Sequence, residues 1–355
     1  MRGKVRQAVV LAGGEGTRLR PLTITRPKPL LPVLGVPCVE YIISSLAQAG
    51  VEQIFLACGY RSEDILKVLG KGKRLGVDIE FAYEREPMGT AGAVKLLQDR
   101  LEGTFIVGSG DTLTDADLGA LIDFHITHGA EATMGLTEVE HPEQFGIVGV
   151  GPDGRIERFK EKPRTEEVFS RVINAGTYVL DKEVLDLVPA ERKYDFSRDL
   201  YMDMLQRGCG LYASPLVGYW KDIGRPSDLF LANMDMASRR GVRSPDGPVA
   251  GTKPSRTRVT GPAFFGKGVA AQGSEIKRSA VGAGCTLGPG TMIEDCLLLD
   301  GVTVGEKAAL RGCVVGQECH IGAGAELTNC VLGDCAQVPP FSKAEGVNID
   351  PRSSL

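Results

Sequence analysis

Apolar residues in the first two thirds of the chain keep two different spacings. Short apolar runs at 8–11 and 54–57 have the length and density of buried strands, and 77–83 and 104–108 read as further strands. Between them, Val39, Ile42, Ile43 and Leu46 recur at helical spacing, in a helix opened by Pro37 and closed by Gly50. Further helices are predicted from Ser62, where Glu63 and Asp64 favour the first turn, over 89–98 and over 115–128. A hairpin around 151–154, a strand over 172–180, and helices over 196–206 and from Pro226 come next. This alternation predicts an α/β domain with a mostly parallel sheet, spanning 1–238.

Residues 239–258 break the pattern. Three prolines, three glycines and five arginines among few apolar residues read as a linker. Beyond it helical patterning stops and a repeat begins. Val281-Gly282, Leu287-Gly288, Val304-Gly305, Val315-Gly316, Ile321-Gly322 and Leu332-Gly333 are aliphatic–glycine pairs. A longer period of 17 runs through Val281, Leu298, Val315 and Leu332, and through Val259, Ile276, Ile293, Leu310 and Leu327. A short period nested in a coil-length one is what a parallel β-helix needs, because each coil buries its apolar side chains on the next. The pattern resembles the hexapeptide repeat of left-handed β-helices, over 259–340, with 341–355 as a C-terminal tail. Cys296, Cys313 and Cys330 are also 17 apart, with Ser279 one period earlier. These small side chains are expected to stack as a buried ladder, neither ligating metal nor forming disulfides.

At 355 residues, 43% hydrophobic and 24% charged, the chain reads as a soluble globular protein of two domains. A net charge of −4 gives no electrostatic reason to expect nucleic acid or an anionic membrane as partner, so phosphate binding must be local. No stretch is apolar enough to span a bilayer, and the basic N-terminus running into Ala8–Val9–Val10 does not read as a signal peptide. Nine cysteines without paired CxxC spacing indicate reduced thiols and a cytoplasmic protein.

Candidate chemistry begins where the first strand ends, in Gly13-Gly14-Glu15-Gly16-Thr17-Arg18. Three glycines in four positions let backbone N–H groups approach a ligand, and Arg18 and Lys28 offer a fork of donors and a point charge to phosphate oxygens. Neither the Gly-Lys-Ser/Thr phosphate loop nor the full dinucleotide fingerprint is present. The whole string from Gly13 to Thr23, followed by Pro27-Lys28-Pro29, closely resembles the signature of the sugar-nucleotide pyrophosphorylases. These nucleotidyltransferases join a nucleoside triphosphate to a sugar 1-phosphate on a Rossmann-like domain. The resemblance implies that Leu11, Ala12, Gly13, Gly14, Gly16, Thr17 and Arg18 cradle the nucleotide, with Arg18 on the departing pyrophosphate and Lys28 near the reacting phosphates.

Other stretches extend the likeness. Asp111, just past an apolar strand, and Asp222, in Trp220-Lys221-Asp222-Ile223-Gly224, match the family's metal positions, and two carboxylates suit Mg²⁺ when substrate phosphates and water complete its shell. Both are therefore expected to share one divalent cation. Gly146 after Phe145, Glu161-Lys162-Pro163 and Asn174-Ala175-Gly176 resemble the sugar-phosphate motifs, with Glu161 on sugar hydroxyls, Lys162 on the phosphate, and Gly146, Asn174 and Gly176 lining the pocket. The loop 84–92, with Pro87, Gly89 and Thr90, resembles the base-binding segment in the form most like the mannose-1-phosphate guanylyltransferases.

The resemblance thus implies an enzyme taking GTP and mannose 1-phosphate to GDP-mannose and pyrophosphate, with Mg²⁺ as cofactor, working as a homo-oligomer. Alternatives are a glucose-1-phosphate uridylyl- or thymidylyltransferase, a bifunctional chain with a β-helix acyltransferase using His320, and a non-catalytic subunit sensing nucleotide sugars. Intact Arg18, Lys28, Asp111 and Asp222 speak against the last. His125 and His128, three apart on a predicted helix, are expected on a solvated face. The β-helix is expected to be structural, so that removing everything after about Arg258 alters assembly and stability but leaves some activity.

Overall fold

The computed structural model describes residues 4–84, 86–239, 243–244, 247–248 and 254–355. Much of the expected linker, and Arg85 of the expected base loop, lie outside the described residues. The chain forms two compact units: Met1–Gly13 with Val39–Trp220, and Gly14–Cys38 with Lys221–Leu355.

The first unit is built on a nine-stranded sheet. Its strands are β1 (Gln7–Leu11), β2 (Gln53–Cys58), β3 (Asp78–Tyr83), β4 (Thr104–Ser109), β5 (Ala132–Glu138), β6 (Gly146–Val150), β7 (Ile156–Glu161), β8 (Val172–Asp181) and β9 (Leu211–Pro215). Along the main path they lie in the order β7-β6-β8-β4-β1-β2-β3, with β5 pairing both β8 and β9. The β4-β1-β2-β3 half is parallel, as the buried aliphatic runs predict. The sheet as a whole is mixed, because β8 runs antiparallel to β4, β5 and β6. Helices α1 (Cys38–Gln48), α2 (Ser62–Leu69), α3 (Gly89–Lys95), α4 (Leu118–His128) and α5 (Tyr201–Arg207) connect the strands. The core under the sheet gathers Val9, Phe55, Phe105, Val107, Met134, Phe196 and Tyr201.

Two features of the 115–128 segment differ from expectation for local reasons. α4 starts at Leu118 because the Asp117 side chain caps it, accepting from Ala120 N at 3.1 Å. Asp115 instead accepts from Tyr219 N at 2.6 Å. His125 does not face solvent: it is fully buried, with Nδ1 2.9 Å from Thr133 Oγ1 and Nε2 3.3 Å from Asp181 Oδ1. His128 is exposed and stacks on Phe124.

The second unit contains α6 (Pro226–Ser238) and a curled, all-parallel array consistent with a left-handed β-helix. Its period is 17. The pairs Ile276–Ile293–Leu310–Leu327–Ala344, Val281–Leu298–Val315–Leu332–Ile349 and Ala271–Leu287–Val304–Ile321–Val338 form three inward stacks. The glycine after each aliphatic residue is required by coil stacking. A Cβ at Gly305 would lie 2.5 Å from Ala323 N, and one at Gly316 would lie 2.7 Å from Asp334 N. The ladder of Ser279, Cys296, Cys313 and Cys330 is also present: Cys296 N donates to Ser279 Oγ at 3.0 Å and Cys313 N to Cys296 Sγ at 3.3 Å. All nine cysteines are free thiols.

Two boundaries need correction. The stretch 341–355 is not a tail: Lys343–Glu345 and Asn348–Ile349 are strands that carry two of the stacks one coil further. Pro339, Pro340 and Phe341 interrupt the apolar pattern there, which hides the last coil from the sequence. The loop 14–38 and α6 belong to the β-helix unit. Leu22, Leu31 and Val33 are fully buried, Asn233 accepts from Leu34 N at 2.8 Å, and α6 packs on the strands Arg258–Phe265 and Glu275–Val281. The expected phosphate loop is thus anchored by the same module whose removal, on sequence grounds, should leave some activity.

Candidate functional site

In the second unit, Gly16 takes φ +63° and opens a 3₁₀ turn, Thr17–Leu19, that carries Arg18. Thr23 Oγ1 donates to Gly16 O at 2.8 Å, and buried Leu19 and Leu22 hold the loop from beneath. Lys28 sits in the next 3₁₀ turn, Lys28–Leu30, fixed between Pro27 and Pro29. Its stem passes under Gly16, where a Cβ would approach Lys28 Cβ to 3.0 Å. Lys28 is only 8% exposed, and its Nζ lies 3.6 Å from Asp222 Oδ1. A Cβ on Gly224 would lie 3.0 Å from Asp222 Oδ2 and 3.4 Å from Arg18 Nη2, so both side chains flank Gly224. Arg18, Lys28 and Asp222, distant in sequence, are therefore gathered in one place. Asp228, which sequence reasoning missed, joins them by accepting from Gly224 N at 3.2 Å through Oδ2.

In the first unit, Leu11, Ala12 and Gly13 emerge where β1 ends between its parallel neighbours. Ala12 N donates to Ala57 O and Gly110 N to Leu11 O, each at 2.8 Å. Carboxyl ends of parallel strands are where open α/β sheets bind ligands. Asp111 comes just after β4 there, and Ser109 Oγ donates to its Oδ1 at 2.5 Å.

The loop with Pro87, Gly89 and Thr90 is braced from two sides. Glu84 Oε2 accepts from Met88 N at 3.0 Å, while Ala91 N and Gly92 N donate to Tyr194 O at 3.0 and 2.9 Å. Thr90 gives both its polar groups to this brace: its N and Oγ1 donate to Asp195 Oδ1 at 3.1 and 3.2 Å. Its visible role is to shape the loop.

Gly146, Glu161 and Lys162 meet across the β6–β7 pairing, in which Gly146 is opposite Glu161. A Cβ at Gly146 would lie 2.6 Å from the Phe159 ring and 2.8 Å from Glu161 Oε2, so no larger residue fits. Burial raises the Glu161 pKa above its ordinary 4.5, opposed by the charges of Lys162 and Arg198. Arg198, unnoticed in the sequence because it sits inside the segment read as a plain helix, thus belongs to this cluster. Asn174 braces a β-bulge in β8: its Oδ1 accepts from Gly176 N at 2.9 Å, and its Nδ2 donates to Tyr178 Oη at 2.9 Å and Ser197 Oγ at 3.2 Å. Trp220 Nε1 donates to Ala175 O at 2.7 Å, and its ring meets Phe145 edge-on at 5.9 Å. One indole thereby ties the Phe145–Gly146 turn to the 174–176 strand.

Comparison with known proteins finds two matched families along the chain, the first spanning residues from both compact units. The model of the Nucleotidyl transferase family matches residues 7–239, and that of the GMPPB C-terminal domain matches 266–353. A Mycobacterium tuberculosis mannose-1-phosphate guanylyltransferase is 36% identical over 299 residues, 84% of this chain and 80% of that one. The catalytic subunit beta of a Drosophila melanogaster mannose-1-phosphate guanylyltransferase is 39% identical over 249 residues, 68% of this chain and 66% of the fly protein. A solved Bacillus anthracis structure, described as a glucose-1-phosphate thymidylyltransferase in complex with a sucrose, is 27% identical, with a TM-score of 0.62 over 69% of this chain and 100% of its own. The chain belongs to the nucleotidyl transferase family and carries a GMPPB-type C-terminal domain.

Proposed function

We propose that this chain makes GDP-mannose and pyrophosphate from GTP and mannose 1-phosphate. The observation that carries the chemistry is the buried cation Lys28, held beside Asp222 under a glycine loop. The names of the bacterial and fly relatives support the choice of base and sugar.

A phosphate oxygen of mannose 1-phosphate attacks the α-phosphorus of GTP. The new bond is P–O to the sugar phosphate, and the bond to the β-phosphate oxygen breaks, releasing pyrophosphate. The nucleophile is already ionised at neutral pH, since a phosphate monoester's second pKa is about 6. No general base is needed, and catalysis consists of aligning two polyanions and offsetting their repulsion. Arg18, Lys28 and the amides of residues 13–17 take the nucleotide phosphates, and Lys162, with Arg198 near it, takes the sugar phosphate. Glu161, lined up against Gly146, accepts from sugar hydroxyls.

Asp111 and Asp222 are the carboxylates assigned to Mg²⁺. Their hard oxygens fit the ion, and two carboxylates leave positions in its shell for substrate phosphates and water. When bound, Mg²⁺ supplies charge neutralisation at the reacting phosphates. Asp222→Asn should raise the Mg²⁺ concentration for half-maximal rate; an unchanged dependence removes Asp222 from this role.

A pyrophosphate-release panel over four nucleoside triphosphates with mannose and glucose 1-phosphates tests the assignment. GTP with mannose 1-phosphate should lead by at least about 10-fold, the scale of pocket discrimination. Preference for dTTP with glucose 1-phosphate would favour the chemistry named for the Bacillus relative, and preference for UTP would equally overturn guanine as the base.

A further inference from the structure

One carboxylate of the β-helix reaches the residues just before Lys28. Asp334 lies at the corner after Leu332-Gly333 and is 8% exposed. Its Oδ1 accepts from Gln317 N in the preceding coil at 2.8 Å. Its Oδ2 accepts from Thr25 Oγ1 and from Arg26 Nη2, each at 2.6 Å. The Arg26 side chain is only 14% exposed, and its buried Nε has no hydrogen-bond partner among the described residues. Its hold on the coil therefore rests on Asp334.

Position 334 is not simply a β-helix corner that happens to be acidic. Asp300 occupies the same place two coils earlier, and its Oδ1 accepts from Ala283 N at 2.7 Å in the same way. No described hydrogen bond or ion pair takes Asp300 to the 25–28 segment, whereas Asp334 makes two. The corner needs one carboxylate oxygen, and at Asp334 the other is turned onto the loop.

The residues after Arg26 transmit that hold. Arg26-Pro27-Lys28-Pro29 alternates with two prolines, which fix their own φ and restrict the residues before them. Pro27 is extended at φ −71°, ψ 149°, and Lys28 begins the turn directly after it. A displacement at Arg26 has few soft torsions in which to dissipate before it reaches Lys28.

We propose that Asp334 is a positioning residue for nucleotidyl transfer: it pins Thr25 and Arg26 to the β-helix so that the intervening proline delivers Lys28 beside Asp222. This rests on the reading that Lys28 acts on the reacting phosphates. It makes the β-helix part of the catalytic apparatus through one carboxylate, and gives the C-terminal module a route to alter turnover without touching substrate.

The test is a double-variant cycle in the full-length protein with GTP and mannose 1-phosphate, using Asp334→Asn, Lys28→Met, their combination, and Asp300→Asn as the corner control. Asp334→Asn should lower kcat by about 10-fold or more, since an ångström of misplacement costs up to roughly 10². The KM for mannose 1-phosphate should stay unchanged. In the Lys28→Met background the same change should cost less than about 2-fold, because the residue it positions is gone. Asp300→Asn should keep normal turnover. Full turnover in Asp334→Asn, losses that simply multiply with Lys28→Met, or an equal loss in Asp300→Asn would each overturn the proposal. If Lys28→Met retains turnover, the reading of Lys28 fails and the proposal fails with it; if only Asp334→Asn retains turnover, the proposal alone fails. Should Asp334→Asn not fold, Arg26→Lys, which keeps the charge but loses the fork, reads the same cycle.

Discussion

Lys28 keeps its ammonium 3.6 Å from Asp222 at a site with 8% exposure, so its charge is preorganised for an incoming phosphate. Lys28→Met preserves most of the stem and removes only the charge. Turnover should fall roughly 10²–10³-fold, as for loss of one preorganised donor, while circular dichroism stays native. Near-normal turnover would remove Lys28 from the chemistry. The proline-flanked motif singles out this lysine in the sequence but suggests a solvent-facing one. Its burial depends on Gly16 above it and on Asp222, which no local pattern couples to it. The cysteines show the opposite case, since a period of 17 is enough to place the ladder. Burial pushes the Cys285 and Cys319 thiols up to about 12 and raises Cys296 as well, so thiolate is scarce at neutral pH. A native-state thiol titration should therefore count only the partly exposed Cys209 and Cys335, with the remainder appearing on unfolding. Rapid labelling of Cys296 or Cys313 in the native protein would show that the ladder is open.

Among the elements, the β6–β7 hairpin links a pKa to substrate binding. Burial holds the Glu161 carboxyl above 4.5, so protonation is favoured in the folded state. The associated stability is fully present below the unfolded pKa and is lost as pH rises through the raised folded value. Binding runs the other way, because a carboxylate that accepts from hydroxyls must be ionised. The KM for mannose 1-phosphate should fall as pH rises from 4.5 through that raised value. Glu161→Gln should retain only the dependence due to the sugar phosphate, near about 6. Identical profiles for both proteins would exclude Glu161 from the sugar site. Strands and helices here are legible because their periods are local. The antiparallel half of the sheet is not, since buried β8 carries the same aliphatic density as a parallel strand. Asn174 likewise reads in the sequence as a pocket residue, while its visible bonds brace the bulge around Gly176.

For the whole molecule, the division of the chain matters more than its length. Residues 14–38 are part of the same compact unit as the β-helix. No sequence pattern reveals this, because the contacts join positions 308 and 309 apart. Cutting the chain after Arg258 removes Asp334, Phe264 and Leu297–Leu299, the latter four flanking Pro32 and Gly35. Such a truncation should lose at least about 10²-fold in turnover, in contrast to the residual activity that a purely structural module would permit. Retained activity would show that the glycine loop holds its shape alone.

If this chain moves a guanylyl group onto the phosphate of mannose 1-phosphate, the fate of each phosphate oxygen is determined. Mannose 1-phosphate carrying oxygen-18 in its phosphate can be incubated with GTP, Mg²⁺ and the full-length protein, and the products read by mass spectrometry. Attack at the α-phosphorus leaves all of the label in GDP-mannose and none in pyrophosphate. Label in the pyrophosphate, or no labelled GDP-mannose, would contradict guanylyl transfer.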